Sequence, residues 1–283
     1  MEPTAPTEEQ LVERAKQGDK DAPEVLIRRI QDRIYNLAMR MLWHPADAED
    51  ATQEILLKII THLDAFRGES KFSTWCWKIT TNHLLTTRKR LAESQAISFE
   101  TLAEMLDQGL SDGALMIRDD LDERLITEEV RIGCMQGMLL CLNREQRITY
   151  ILGDIFEITD REGGEMLGIT PAGYRKRLSR VRTRLRNFMN RECGLMNPEN
   201  PCRCRLKANY AIRRGFVNPK SLLFSSHRVR AARRNAPKRI AELTELARLS
   251  ALFRSHPEYA APDGLVTAIK TLLSSGRHEL LSE

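Results

Sequence analysis

Apolar residues recur three and four positions apart along most of this chain, and no stretch sustains the period-two alternation that a half-buried strand requires. That spacing confines the chain to an all-α fold. Thr7 with Gln10 forms a capping box for a first helix, which Gly18 and Asp19 end. Pro23 opens a second, whose inner side carries Leu26, Ile30, Ile34, Leu37 and Met41. Asp47 starts a third, with Ile55, Ile59 and Leu63 inward and Asp50, Gln53 and Glu54 outward; after the turn at Arg67, Gly68, Glu69 and Ser70, a fourth runs from Phe72 to Arg90. Together these predict one small helical domain over residues 1–95.

The stretch from Ile158 to Leu185 has a different organisation: a short amphipathic segment, a glycine-containing turn, then a basic segment. This is helix-turn-helix spacing. Thr170 is placed to cap the second helix and Pro171 occupies its first position, where a missing N–H costs nothing. Ile169, Leu178, Val181 and Leu185 supply an apolar stripe, while Arg175, Lys176, Arg177, Arg180, Arg182, Arg184 and Arg186 make the rest strongly positive, as binding to DNA phosphates requires. A second helical domain is expected over 123–191.

A net charge of +5 conceals an acidic segment: ten Asp and Glu residues stand against two Arg between Ala96 and Glu129. Residues 96–122 therefore read as an acidic linker joining the two domains. With 42% hydrophobic and 29% charged residues in 283, the composition is that of a globular protein with about two domains. No apolar run approaches the roughly 20 residues that span a bilayer, and the acidic N-terminus is unlike a signal peptide. The expected location is the cytoplasm, without membrane insertion, where the six cysteines stay reduced or bind metal. There is no phosphate-binding G-K-[ST] loop, no H-E-x-x-H and no nucleophile elbow, so no enzyme activity is expected.

Within the first domain the string DAEDATQEILLKIITHLDAFRGESKFSTWCWKITTNH, Asp47 to His83, sets D-A-E-D-x-x-Q-E and F-R-G-E-S-x-F-S-T-W in order ahead of the L-G-I-T helix-turn-helix. Over residues 7–190 the chain resembles the extracytoplasmic-function group of sigma-70 family RNA polymerase sigma factors. The resemblance implies a factor that binds core RNA polymerase, recognises promoter DNA and starts transcription of a specific gene set. It needs no cofactor, and an anti-sigma factor is a candidate further partner.

By the same resemblance Asp50, Gln53 and Glu54 dock on the polymerase clamp helices. Lys71, Trp75, Trp77, Lys78, Asn82 and Arg88 handle the melted downstream promoter element, where aromatic faces and cations hold an unpaired base. Thr170, Ala172, Arg175 and Lys176 approach bases of the upstream element while Arg177 and Arg180 grip phosphates. The acidic linker would lie in the RNA exit channel and mimic the transcript. Thr86 stands where the family usually has an acidic residue. Gly163 and Gly164 replace an apolar residue and Ala, which predicts a looser motif, and Tyr174 replaces a small β-branched residue, which predicts repacking around that gap.

The resemblance ends near Cys193. Residues 192–283 form a Cys-containing, Arg-rich extension in which Cys193, Cys202 and Cys204 are candidate ligands for zinc or another soft metal, with His227 as a distant fourth. Their spacing lacks the paired C-x-x-C of a standard zinc site. Helices are expected from Lys238 to Phe253 and through Leu265, Ile269 and Leu272, on either side of a break from Pro257 to Pro262. The competing reading, a stand-alone helix-turn-helix regulator, needs neither the D-x-x-Q-E face nor the aromatic cluster.

Overall fold

The computed structural model describes residues 5–86, 98–110, 120–224 and 245–274. All regular elements among them are helical: α1 (Glu8–Lys16), α2 (Ala22–Leu42), α3 (Pro45–Thr61), α4 (Phe72–Thr86), α5 (Phe99–Gln108), α6 (Asp120–Leu140), α7 (Arg144–Tyr150), α8 (Asp160–Leu167), α9 (Pro171–Glu192), α10 (Ala208–Arg213), α11 (Glu245–Arg254) and α12 (Leu265–Ser274). The chain is all-α, as the apolar spacing requires. Its described residues fall into two compact units, one within Met1–Arg90, Arg161–Pro171 and Ala260–Glu283, the other within Leu91–Asp160 and Ala172–Tyr259.

In the first unit, the expected capping box starts α1: Thr7 Oγ1 accepts from the Gln10 amide at 3.2 Å and Gln10 Oε1 from the Thr7 amide at 2.8 Å. The inward stripe of α2, Leu26, Ile30, Ile34, Leu37 and Met41, is buried against α1, α3 and α4. Helix α3 begins at Pro45, two residues before the expected Asp47, because proline fits the first turn of a helix where no N–H partner is needed. Helix α12, from the C-terminal extension, packs on α2 and α3 through Leu265, Val266 and Ile269.

In the second unit, described residues of the extension up to Tyr259 are woven into the same core as residues 123–160 and 172–191. A 3-10 turn at Cys204–Lys207 and helix α10 lie along α6, where Ile126, Val130, Ala208, Ala211 and Val217 form one buried cluster. The Glu129 carboxylate accepts the backbone N–H groups of Leu223 (2.6 Å) and Phe224 (3.0 Å). Helix α11 brings Phe253 edge-on to Tyr150, with ring centroids 5.2 Å apart. Within the segment expected to be an acidic linker, Ser98 caps α5, and Phe99 is buried against Phe188, 4.9 Å between centroids, with Arg184 over its ring. The residues outside the described ranges include Arg88, His227 and the Arg228 to Arg234 run.

Candidate nucleic-acid interface

Helix α4 is anchored at its start by packing, which leaves one side available. Phe72 is fully buried, its N–H donates to Glu9 Oε1 at 3.2 Å, and its ring meets Phe66 edge-on at 5.5 Å. Trp75 stacks on Phe72 with centroids 5.7 Å apart and planes 27° apart, yet stays half-buried. Trp77 points to another side, lining a crevice with Ile30, Arg33, Ile34, Ser73, Cys76 and Thr80. Lys71, Lys78 and Asn82 are exposed. Positions 75, 78 and 82 are spaced three and four apart, so Trp75, Lys78 and Asn82 share one face of α4, and Lys71, four before Trp75 and immediately ahead of the helix, extends the row: two cations, an amide and a braced aromatic plane. Trp77 does not belong to that row. Thr86, where the family usually has an acid, donates its hydroxyl to the Asn82 carbonyl at 2.8 Å and so stays within its own helix. On α3, Asp50 is exposed and Gln53 and Glu54 are half-buried, with Glu54 3.5 Å from the His83 ring.

Around the helix-turn-helix, Thr170, Ala172, Arg175, Lys176 and Arg180 are exposed and Arg177 is half-buried. Arg175 is ion-paired with Asp160, and Arg177 lies 3.2 Å from the Glu145 carboxylate. Arg182, one of the seven cations counted in the sequence, is turned inward instead. It donates to both oxygens of the buried Asp154 at 2.7–3.1 Å, and that bond keeps its guanidinium firmly protonated.

These two basic, helix-borne surfaces can be set beside known proteins. Residues 26–93 match the Sigma-70 region 2 family model, a stretch that takes in α2 from Leu26, α3 and α4. The chain is 28% identical over 179 residues to the ECF RNA polymerase sigma factor SigW of Bacillus subtilis, covering 62% of this chain and 92% of that one. It is 28% identical over 185 residues to the ECF RNA polymerase sigma-E factor of Escherichia coli, covering 64% and 93%. Identity to the RNA polymerase sigma-H factor of Pseudomonas aeruginosa is 32% over 127 residues, 42% of this chain and 66% of that protein. The chain belongs to the extracytoplasmic-function group of the sigma-70 family. Sigma factors of this kind are non-enzymatic transcription initiation factors. No helix among the described residues is long and apolar enough to cross a membrane.

In this sigma factor one glycine of the helix-turn-helix, Gly164, has a steric cause. Gly164 lies where α8 folds back to α9: its carbonyl accepts the Ile169 N–H at 2.9 Å, and a Cβ there would sit 2.8 Å from the Ile169 carbonyl oxygen. The glycine therefore permits a tight turn, and the looseness expected from its helix propensity is offset by that close approach. Gly164→Ala is expected to destabilise the domain by about 1–3 kcal/mol, because backbone atoms cannot rotate away as a side chain would. Chemical denaturation of the two proteins measures it. Tyr174 is buried too, but the space it fills is at Gly153, where a Cβ would meet its hydroxyl at 3.0 Å and Leu178 at 2.6 Å.

Cys193, Cys202 and Cys204 lie close enough to interact electrostatically, and so does Cys134 of α6, whose distance along the chain hid it from any spacing argument. The loop between them is tightly closed: a Cβ at Gly194 would fall 2.3 Å from the Cys202 carbonyl, and Asn200 donates to the carbonyls of Asn190 (2.9 Å) and Cys193 (3.3 Å). Burial pushes the Cys204 thiol up to about 12 and raises the other three. Among the described residues, however, no three His, Cys, Asp or Glu side chains stand as a metal-ligand set, so the soft-metal expectation finds no prepared site there.

Proposed function

We propose that this sigma factor docks on core RNA polymerase through the α3 face carrying Asp50, Gln53 and Glu54. Lys71, Trp75, Lys78, Asn82 and Arg88 engage the opened downstream promoter element, with Trp77 supporting the helix from its other side. Thr170, Ala172, Arg175, Lys176, Arg177 and Arg180 read the upstream element. The observation that carries the reading is the row on α4: cations and an amide flank an aromatic plane that is already braced by Phe72. Such a row suits a splayed single strand, because stacking accepts any base while Lys ammonium groups neutralise phosphates. Polymerase as partner is in keeping with a cytoplasmic location. A separate anti-sigma factor acting on either surface fits the same scheme.

The test is open-complex formation on promoter fragments, read by permanganate reactivity of unpaired thymines, with core polymerase and the full chain. Wild-type protein is expected to open the downstream element only with polymerase present. Reversing the exposed charge, Asp50→Lys, should weaken core association about tenfold while duplex binding stays unchanged, since charge reversal at a polar interface costs roughly 1–2 kcal/mol. Binding to duplex promoter without any opening would instead support the stand-alone regulator.

A further inference from the structure

Helix α12 is short enough to be marginal by itself, so its helicity depends on what it packs against. It packs on α2 and α3. Leu265, Val266 and Ile269 are buried, Lys270 is ion-paired with Glu24, and the Ala261 N–H donates to Asp32 Oδ1 at 2.9 Å. Glu24 is shared between Lys270 and Arg28, whose side chains hold its carboxyl below the usual carboxylate range. Hence three apolar anchors are fringed by polar ties that are largely open to solvent, which makes a specific but reversible attachment.

The surface under α12 includes part of α3, the helix whose Asp50, Gln53 and Glu54 the proposed function hands to polymerase. We propose that α12 is an internal competitor: it holds the α2 and α3 surface in the free protein and must leave when core polymerase binds. This rests on the polymerase-docking reading above. With α12 docked, Asp50 stays exposed, so a partner can meet its carboxylate first and displace the helix afterwards. Apparent affinity for polymerase then falls in proportion to the fraction of molecules in which α12 has lifted. The occupant is a segment of the chain itself, and Lys270 against Glu24 fixes its register.

Two measurements on the full chain decide the matter. In Ile269→Asp a charge replaces the most buried anchor of α12, and core polymerase should bind about tenfold more tightly than to wild type, because the competitor is removed. In wild type, hydrogen exchange of the α12 amides should be slow in the free protein and fast once polymerase is bound; this readout stands even if Ile269→Asp folds poorly. Unchanged affinity in Ile269→Asp, or α12 amides still protected in the polymerase complex, overturns the proposal while leaving polymerase docking intact. If neither protein binds polymerase, the docking reading fails and takes this inference with it.

Discussion

Arg182→Met is expected to cost about 3–5 kcal/mol of stability, because it strands a carboxylate that has no access to water. Asp154 is 2% exposed and sits in the π-helical turn Ile151–Ile155, where the backbone opens enough to admit its partners. Arg182 from α9 grips both carboxylate oxygens, Ser250 of α11 donates to one at 3.2 Å, and Arg254 donates to the Asp154 carbonyl at 2.5 Å while pairing with Glu157 at 2.6 Å. One acidic residue thus ties α9 to the C-terminal extension. Loss of the guanidinium should melt the second unit at lower denaturant and weaken upstream promoter binding with it. Removing the carboxylate as well, in Arg182→Met with Asp154→Leu, should recover most of the loss, since an apolar pair of similar volume has no desolvated charge to satisfy. Denaturant midpoints for the single and double variants measure this, and equal midpoints would remove Asp154 from the folding argument.

That network also marks where the sequence stops being legible. Local signals survive translation into structure: Thr7 and Gln10 cap α1, the α2 stripe is buried, and Pro171 begins α9. Each depends on residues within a turn or two of one another. Asp154, by contrast, looks like a polar interruption in an apolar run, and its meaning comes from Arg182, Ser250 and Arg254, 28 to 100 positions away. Gly164 was misleading for a related reason, since propensity scores a helix position in isolation and is silent on a carbonyl approaching from Ile169. Cys134 has no cysteine near it in sequence, and only the fold of α6 against the Cys204 turn brings it to the other thiols. The extension was the least legible part, because its apolar residues predict helices without predicting which surface covers them: α11 takes Tyr150 and α12 takes α2 and α3.

Trp75→Ala should be the most damaging single change to promoter opening. The side chain is half-buried, so its loss removes one stacking surface and part of the support for Phe72 and Phe66, whose rings lie 5.7 Å from it. Base-aromatic stacking contributes about 1–3 kcal/mol per base, so open complexes at subsaturating protein should fall roughly 5- to 150-fold. Trp75→Phe keeps an aromatic face against Phe72 and should retain most of the opening, which separates stacking from packing. Trp77→Ala supplies the contrast: its side chain helps line the crevice with Ile30, Ile34 and Cys76, and the change should lower thermal stability more than it lowers opening per folded molecule. Permanganate footprints normalised to folded protein distinguish the two tryptophans. Equal opening by Trp75→Ala and wild type would show that the α4 row does not hold the separated strand.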